Sequence, residues 1–350
     1  MPGRKFPLRW GTFPSGRQYH SYVENYAREH RLNIKLGVDV RCVTPEAGGW
    51  RVDTAQGSSW HRAVVLATGR FSEPYTADIP GLYDFKGLLL HAHNYREPAQ
   101  LAGKRVMVIG NGPSGLDIAL ESGRHNGPGR PSLLSMRTGI QLRRRFPLGI
   151  SKQGWILLTR WLPARLRVPF LRRMETMGFP KSRMRSIKSP TTGETSGAAA
   201  TRGPELIHAV RRGEVICVDG PKRINEHSVT LTDGTTHEVE ALVIATGYRP
   251  ALKFLDNVTI ESDDQGWPLR YNSLPYSIDY AKLVYRGTYD SGADIDAEFE
   301  PRLREVKGYP GLFQVGLYYK GKGAMYNFNV EAEIAAAQIA QFLNHAAPAE

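Results

Sequence analysis

Lys104-Arg-Val-Met-Val-Ile-Gly-Asn-Gly-Pro-Ser-Gly-Leu-Asp-Ile-Ala-Leu-Glu121 is the stretch whose reading decides the fold. An apolar run of strand length leads directly into Gly110-Asn-Gly-Pro-Ser-Gly115, and a helical pattern opens immediately afterwards. A lone G-x-G-x-x-G is weak evidence, but between a strand and a helix it reads as the turn of a dinucleotide-binding βα unit. In that reading Gly110 permits the tight turn, Gly112 lets the backbone approach phosphates, and Gly115 lets helix and strand pack closely. Asn111, Pro113 and Ser114 complete the turn, and the Ser114 hydroxyl adds a possible donor, so all six residues are expected at the cofactor. An ordinary tight turn without a ligand is the alternative.

The next strand reads Ser132-Leu-Leu-Ser-Met136, and Arg137 ends it. A site built for NAD places Asp or Glu about twenty residues beyond the glycines, to hold the ribose diol. Here Arg137 stands at that point, and no acid occurs between Glu121 and Glu175. A guanidinium matches a 2′-phosphate bidentately, so the pattern favours NADP; the alternative is an exposed, solvated arginine.

Further out, two stretches read alike. Gly49–Thr54 is a short alternating strand, Gln56-Gly57 a turn, and Ala63-Val-Val-Leu-Ala-Thr-Gly69 a buried strand ending in glycine. Ser228–Thr232, Asp233-Gly234 and Ala241-Leu-Val-Ile-Ala-Thr-Gly247 repeat the sequence of events. The repetition predicts an α/β protein with two nested dinucleotide-binding domains. The expected boundaries are a first domain over 1–98, an NADP domain over 99–250 with an insert at 140–205, and a return to the first domain over 251–350. Thr68 and Gly69 in one copy, and Ala245, Thr246 and Gly247 in the other, are expected beside the cofactors.

Gly110 and Gly247 are 137 residues apart, so an equal front end for the first copy is expected to begin about 68 residues before Met1. No second G-x-G-x-x-G occurs in the 350 residues. A flavin crevice built from the remaining pieces lacks hydrogen bonds worth roughly 1.5–3 kcal/mol each to a charged pyrophosphate. The expectation is a chain that purifies largely flavin-free.

Between the two copies lies Phe85-Lys-Gly-Leu-Leu-Leu-His-Ala-His-Asn-Tyr-Arg96. Its Phe85, Gly87, His91 and Tyr95 match F-x-G-x-x-x-H-x-x-x-Y, so the chain resembles the flavin-containing monooxygenases. Ala67-Thr-Gly-Arg-Phe-Ser-Glu-Pro74, Ile79-Pro-Gly81 and Ala245-Thr-Gly-Tyr-Arg-Pro250 extend the resemblance, as does the helical pattern around Tyr22, Tyr26 and Ala27. The resemblance spans roughly residues 6 to 345. It implies FAD and NADPH as cofactors, molecular oxygen and a small organic molecule as substrates, and a flavin hydroperoxide as the oxygenating species. It also implies an adenine-side strand near Val40, and a helix start near the flavin ring at Gly323 and Ala324. The fingerprint, with Arg96, is implied to be a linker coupling two domains, with Gly87 permitting a backbone shape that a side chain blocks. No catalytic residue is assigned.

The charge of +12 sits in one place: residues 137–190 contribute +13 and the others −1. Three readings of that insert stay open, namely a cap over a substrate entrance, a helix pair on an anionic membrane, and a solvated face attracting NADPH. No recognition motif accompanies the charge, which argues against nucleic acid. No apolar run is long enough to span a membrane. Cys42 and Cys217 lie in short apolar stretches and form neither a disulfide framework nor a metal cage, and a cytoplasmic location is expected. Two rivals to the monooxygenase remain. One is a flavin-dependent NADPH reductase, although the NADP segment has no C-x-x-C; the other is a non-catalytic NADP-binding remnant or interaction protein.

Overall fold

The computed structural model describes residues 4, 6–11, 14–137, 144, 146–150, 154–155, 158–159, 161–177, 203–262, 304–306, 308–317 and 324–345. They fall into two compact units. One holds Met1–Arg70 with the described residues from Pro250 onward, and the other holds Phe71–Arg249.

In chain order the strands of the first half are β1 (Val40–Glu46), β2 (Gly49–Thr54), β3 (Gly57–His61), β4 (Val64–Leu66), β5 (Glu73–Pro74), β6 (Leu88–His91) and β7 (Val106–Ile109). They continue as β8 (Ser132–Met136), β9 (Val215–Asp219), β10 (Pro221–Ile224), β11 (Ser228–Leu231), β12 (Thr236–Glu238), β13 (Ala241–Ile244), β14 (Tyr248–Arg249) and β15 (Leu312–Gln314). The principal helices are α1 (Gly16–Glu29), α2 (Pro113–Asn126), α3 (Ala164–Thr176), α4 (Gly203–Arg211) and α5 (Ala324–His345).

The second unit is built on a five-stranded sheet of order β6-β13-β7-β8-β9, parallel throughout. Its strands are apolar on both faces because both faces are covered. Val106, Val108, Leu134, Ala241 and Val243 point into one core, closed by Leu116, Ile118 and Leu120 of α2 and by Leu206 and Ala209 of α4. Met107, Ile109, Leu242 and Ile244 point the other way, onto Ile79, Leu82, Phe85, and Val229 and Leu231 of the β10-β11-β12 sheet. Burying each large aliphatic side chain contributes about 1.5–3 kcal/mol, so the alternation fixes which residues face which layer.

Strand β6 carries the fingerprint histidine and pairs in parallel with β13, Ile244 lying opposite His91. Residues 71–98, grouped with the first domain in the sequence reading, therefore fall within the second unit. Within the fingerprint, Leu88–His91 forms an edge strand of this sheet and a turn follows it. Sequence reasoning missed this because Leu88-Leu-Leu90 shows no strand-like alternation.

The first unit has a three-stranded antiparallel sheet, β1-β2-β3, and a two-stranded parallel sheet, β15-β4. Trp50, fully buried, anchors its core with Val43, Leu66, Val306 and Leu312, and its indole N–H donates to the Pro310 carbonyl at 3.0 Å. Helix α1 starts at a capping box: Ser15 Oγ accepts the Gln18 amide, and Gln18 Oε1 accepts the Ser15 amide. Helix α5 runs from Ala324 to His345. Gly323 lies outside the described residues, as does most of the insert between 138 and 202.

Candidate cofactor site

The glycine turn lies at the carboxyl ends of the parallel strands, where α/β sheets hold their ligands. Gly110 follows β7 directly, with φ +119°, and its amide donates to the Ser135 carbonyl at 3.0 Å. A Cβ at Gly110 runs into the Ala245 carbonyl, and one at Gly115 runs into the Gly110 carbonyl. Gly112 is different: a Cβ there meets nothing within 4 Å. It is the N-cap of α2, no side chain caps the helix, and Pro113 occupies the first turn, where its missing N–H costs nothing. Two glycines serve the packing of the protein, and the third leaves open space at a helix amino terminus suited to an anion. Ser114 is exposed beside that space, and Asn111 is part-buried in the turn.

Arg137 is exposed immediately after β8, two residues beyond the Ser135 that accepts from Gly110. Among the described residues it forms no ion pair, and the chain after β9 passes close by, a Cβ at Gly220 lying 3.3 Å from the Arg137 Cα. The turn and the arginine thus share one edge of one sheet.

Ala245, Thr246 and Gly247 follow β13. Ala245 donates its amide to the Ile109 carbonyl at 2.8 Å, which ties this strand to the glycine-turn strand. The Thr246 hydroxyl donates to the Tyr75 carbonyl at 2.6 Å and accepts the Ala77 amide at 3.2 Å. Gly247, with φ +111°, accepts the Tyr75 amide at 3.0 Å. These contacts zip the segment entering the unit (β5) against the segment leaving it (β14).

His91 is held by both ring nitrogens. Nδ1 accepts the His93 amide at 3.0 Å, so the proton sits on Nε2, which faces the Tyr75 carbonyl at 3.4 Å. The ring meets Tyr248 edge-on at 5.4 Å, and burial holds its pKa below the ordinary imidazole value. Neither nitrogen is poised as a base. Tyr95 donates to Glu121 Oε2 at 3.0 Å, and burial, then the hydrogen bond to that carboxylate, pushes its pKa well up. Arg96 braces the turn by donating to the carbonyls of His93 (2.6 Å) and Tyr95 (3.1 Å). Phe85 is buried in the core, and Gly87 has an ordinary φ. The reason for glycine at 87 is close approach, since a Cβ meets the Glu240 carbonyl and the Phe85 ring. Glu121, Tyr75 and Tyr248 had not been singled out; their partners lie 26, 16 and 157 residues away, and no local pattern marks them.

In the first unit, Val40 starts β1 and is exposed, and Gly69 has φ +73°. The Thr68 hydroxyl is buried and has no hydrogen-bond partner among the described residues. An orphaned buried donor next to a left-handed glycine, after a parallel strand, fits the edge of a nucleotide site. Ala324 opens α5. Cys217 is half-buried, with its thiol pushed up to about 12 by desolvation, so it is no thiolate near neutral pH. Among the described residues no His, Cys, Asp or Glu cluster suits a metal.

Comparison with known proteins fits this geometry. Residues 6–128 match the pyridine nucleotide-disulphide oxidoreductase family model. The indole-3-pyruvate monooxygenase YUCCA1 of Oryza sativa is 31% identical over 258 residues, which is 71% of this chain and 63% of that protein. The probable indole-3-pyruvate monooxygenase YUCCA1 of Arabidopsis thaliana is 26% identical, over 88% of this chain and 78% of its own length. The chain thus spans less than two thirds of the rice relative. The flavin-containing monooxygenase of Stenotrophomonas maltophilia superposes with a TM-score of 0.62 at 21% identity, over 99% of this chain and 82% of that one. The fold is shared with that flavin-containing monooxygenase, and the likeness to the indole-3-pyruvate monooxygenase sequences covers 71% and 88% of the chain.

Proposed function

We propose that this chain is the NADPH-binding and part of the FAD-binding structure of a monooxygenase that oxygenates a small organic substrate. The observation that supports the reading most directly is the open space at Gly112 with Arg137 on the same sheet edge. The amides of the turn hold the pyrophosphate, and the Arg137 guanidinium holds the 2′-phosphate, which NADH lacks. Thr68 and Gly69, with Val40 and Ala324, would hold FAD, which would supply the redox chemistry and dioxygen activation. The protein's part is to bind and orient. His91, committed at both nitrogens, pins Tyr75 and Tyr248 where the chain enters and leaves the NADPH unit, and moves no proton.

The experiment measures NADPH and NADH binding to the purified chain by calorimetry. Clear preference for NADPH, lost in Arg137→Ala, supports the reading; equal affinities overturn it. Turnover of the protein holding both cofactors under ¹⁸O₂ separates the monooxygenase from a reductase, because only the former places the label in an organic product. The inert Cys217 already speaks against a thiol-based reductase in this unit.

The insert supports a smaller reading. Leu158, Trp161 and Leu166 are exposed beside Arg165, within the stretch of +13 charge. Apolar anchors among arginines suit the surface of an anionic membrane. No helix among the described residues is long and apolar enough to cross one. Cosedimentation with phosphatidylglycerol vesicles, and none with phosphatidylcholine alone, is the expected result; the cytoplasmic face is where such contact is proposed.

A further inference from the structure

Ser132-Leu-Leu-Ser-Met136 runs between β7 and β9 in a sheet covered on both faces, where apolar runs are the rule and a serine is a departure. Ser135 is 1% exposed, and a hydroxyl so buried costs stability unless it has a partner. The residue is tied on both sides. Its hydroxyl donates to the Asp219 carbonyl at 2.7 Å, and its carbonyl accepts the Gly110 amide at 3.0 Å. One residue thus joins the glycine turn after β7 to the end of β9.

The pairing of β8 with β9 ends at Met136 opposite Asp219. Arg137 and Gly220 each stand one residue beyond that last position. Three hydrogen bonds fix the corner at Asp219 and Gly220. One comes from the Ser135 hydroxyl, one runs from the Thr232 amide to the Gly220 carbonyl at 2.9 Å, and one from the Thr232 hydroxyl to Asp219 Oδ2 at 3.4 Å. Gly220 has no positive φ, so its backbone conformation does not call for glycine. Its small size matters at Arg137 instead: a Cβ there lies 3.3 Å from the Arg137 Cα and 3.5 Å from its Cβ. The corner is held by three bonds while Arg137 is exposed and past the ladder, so Arg137 is the side that yields to any shift between them.

We propose that Ser135 is a positioning residue that sets cofactor specificity: through the Asp219–Gly220 corner it holds the Arg137 backbone at the place from which the guanidinium reaches the 2′-phosphate of NADPH. The inference rests on the NADPH reading of this site and adds to it the device that keeps the arginine in register with the glycine turn. A long arginine side chain gains less from a phosphate when its root is loose, because ordering it on binding costs entropy. The glycine turn has no need of the hydroxyl. Its Gly110 amide is held by the Ser135 carbonyl, a backbone group that any residue at 135 supplies. Removing the hydroxyl alone therefore separates the two ends of the cofactor.

Calorimetric titrations of the full chain with NADPH and with NADH test this in the wild type, Ser135→Ala, Arg137→Ala and the double variant. Ser135→Ala should lower NADPH affinity by about fivefold or more, the scale of one net hydrogen bond, and leave NADH affinity within about twofold. In the Arg137→Ala background the same substitution should change neither affinity, because no guanidinium is left to position. Ser135→Thr, which keeps a hydroxyl, should restore the preference for NADPH. Should Ser135→Ala fail to fold, Gly220→Ala reads the same contact from the other side, and the NADPH-to-NADH affinity ratio should fall there too. Equal losses for both cofactors, or a loss that persists without Arg137, make the serine merely structural and overturn the proposal. A wild-type chain with no preference for NADPH overturns the NADPH reading itself. A preference that depends on Arg137 but survives Ser135→Ala and Gly220→Ala overturns the positioning role alone.

Discussion

Val243 and Val65 occupy the same place in two copies of one supersecondary pattern, each just before Ala-Thr-Gly, yet one is sealed and the other meets solvent. Residue type does not distinguish them. What differs is the strand beside them: β13 lies between β6 and β7, while among the described residues β4 pairs with β15 alone. The burial of an apolar strand is thus a property of its neighbours, and the chemistry of the turn depends on the same neighbour. Gly110 and Gly115 can pack onto Ala245 only because β7 is paired with β13.

The comparison is broken most forcefully at Gly112. A Cβ there meets nothing within 4 Å, so Gly112→Val should change thermal stability little, while its side chain enters the proposed phosphate approach. Losing two charge-assisted hydrogen bonds of about 1.5–3 kcal/mol each predicts at least about a hundredfold loss of NADPH affinity by calorimetry. Gly115→Ala should do the opposite. Its Cβ collides with the Gly110 carbonyl, and overpacking at this buried position should cost about 1–3 kcal/mol of stability, read from the urea midpoint of the second unit. If both variants lose only ligand affinity, the division of labour among the glycines is wrong.

Arg137→Ala sharpens the comparison on the ligand side. NADPH should lose about 1–3 kcal/mol of binding and NADH almost none, measured in parallel titrations. The smallest effect concerns His91. Burial lowers its folded pKa, so between that value and about 6.5 the unfolded chain binds more protons than the folded one. Stability should rise with pH across that window and fall as acid protonates Nδ1, which then cannot accept the His93 amide. Urea midpoints at pH 5 and 7.5 measure the slope, and His91→Gln should flatten it.

Much of this architecture was legible beforehand, for identifiable reasons. The β7–turn–α2 unit is local: strand, glycines and helix follow within eighteen residues, and each constrains the next. The Ala-Thr-Gly strands were legible by repetition. The fingerprint was visible as a motif but its place was not, since pairing of β6 with β13 joins residues about 150 apart and leaves no local trace. Gly87 shows the same limit. Its need for glycine was foreseeable, but the cause is a carbonyl from Glu240 that only the folded chain delivers.

By itself the sequence determined the α/β class, the glycine turn, the cation at the end of β8 and the duplication, because these rest on periodicity, spacing and side-chain charge over short distances. Tertiary structure decided which glycine leaves open space at the start of α2, which ring nitrogen of His91 holds the proton, and which copy of the duplicated strand is the more exposed. Each of those depends on what a distant segment places within about 4 Å, a distance at which packing and hydrogen bonding act and sequence order does not.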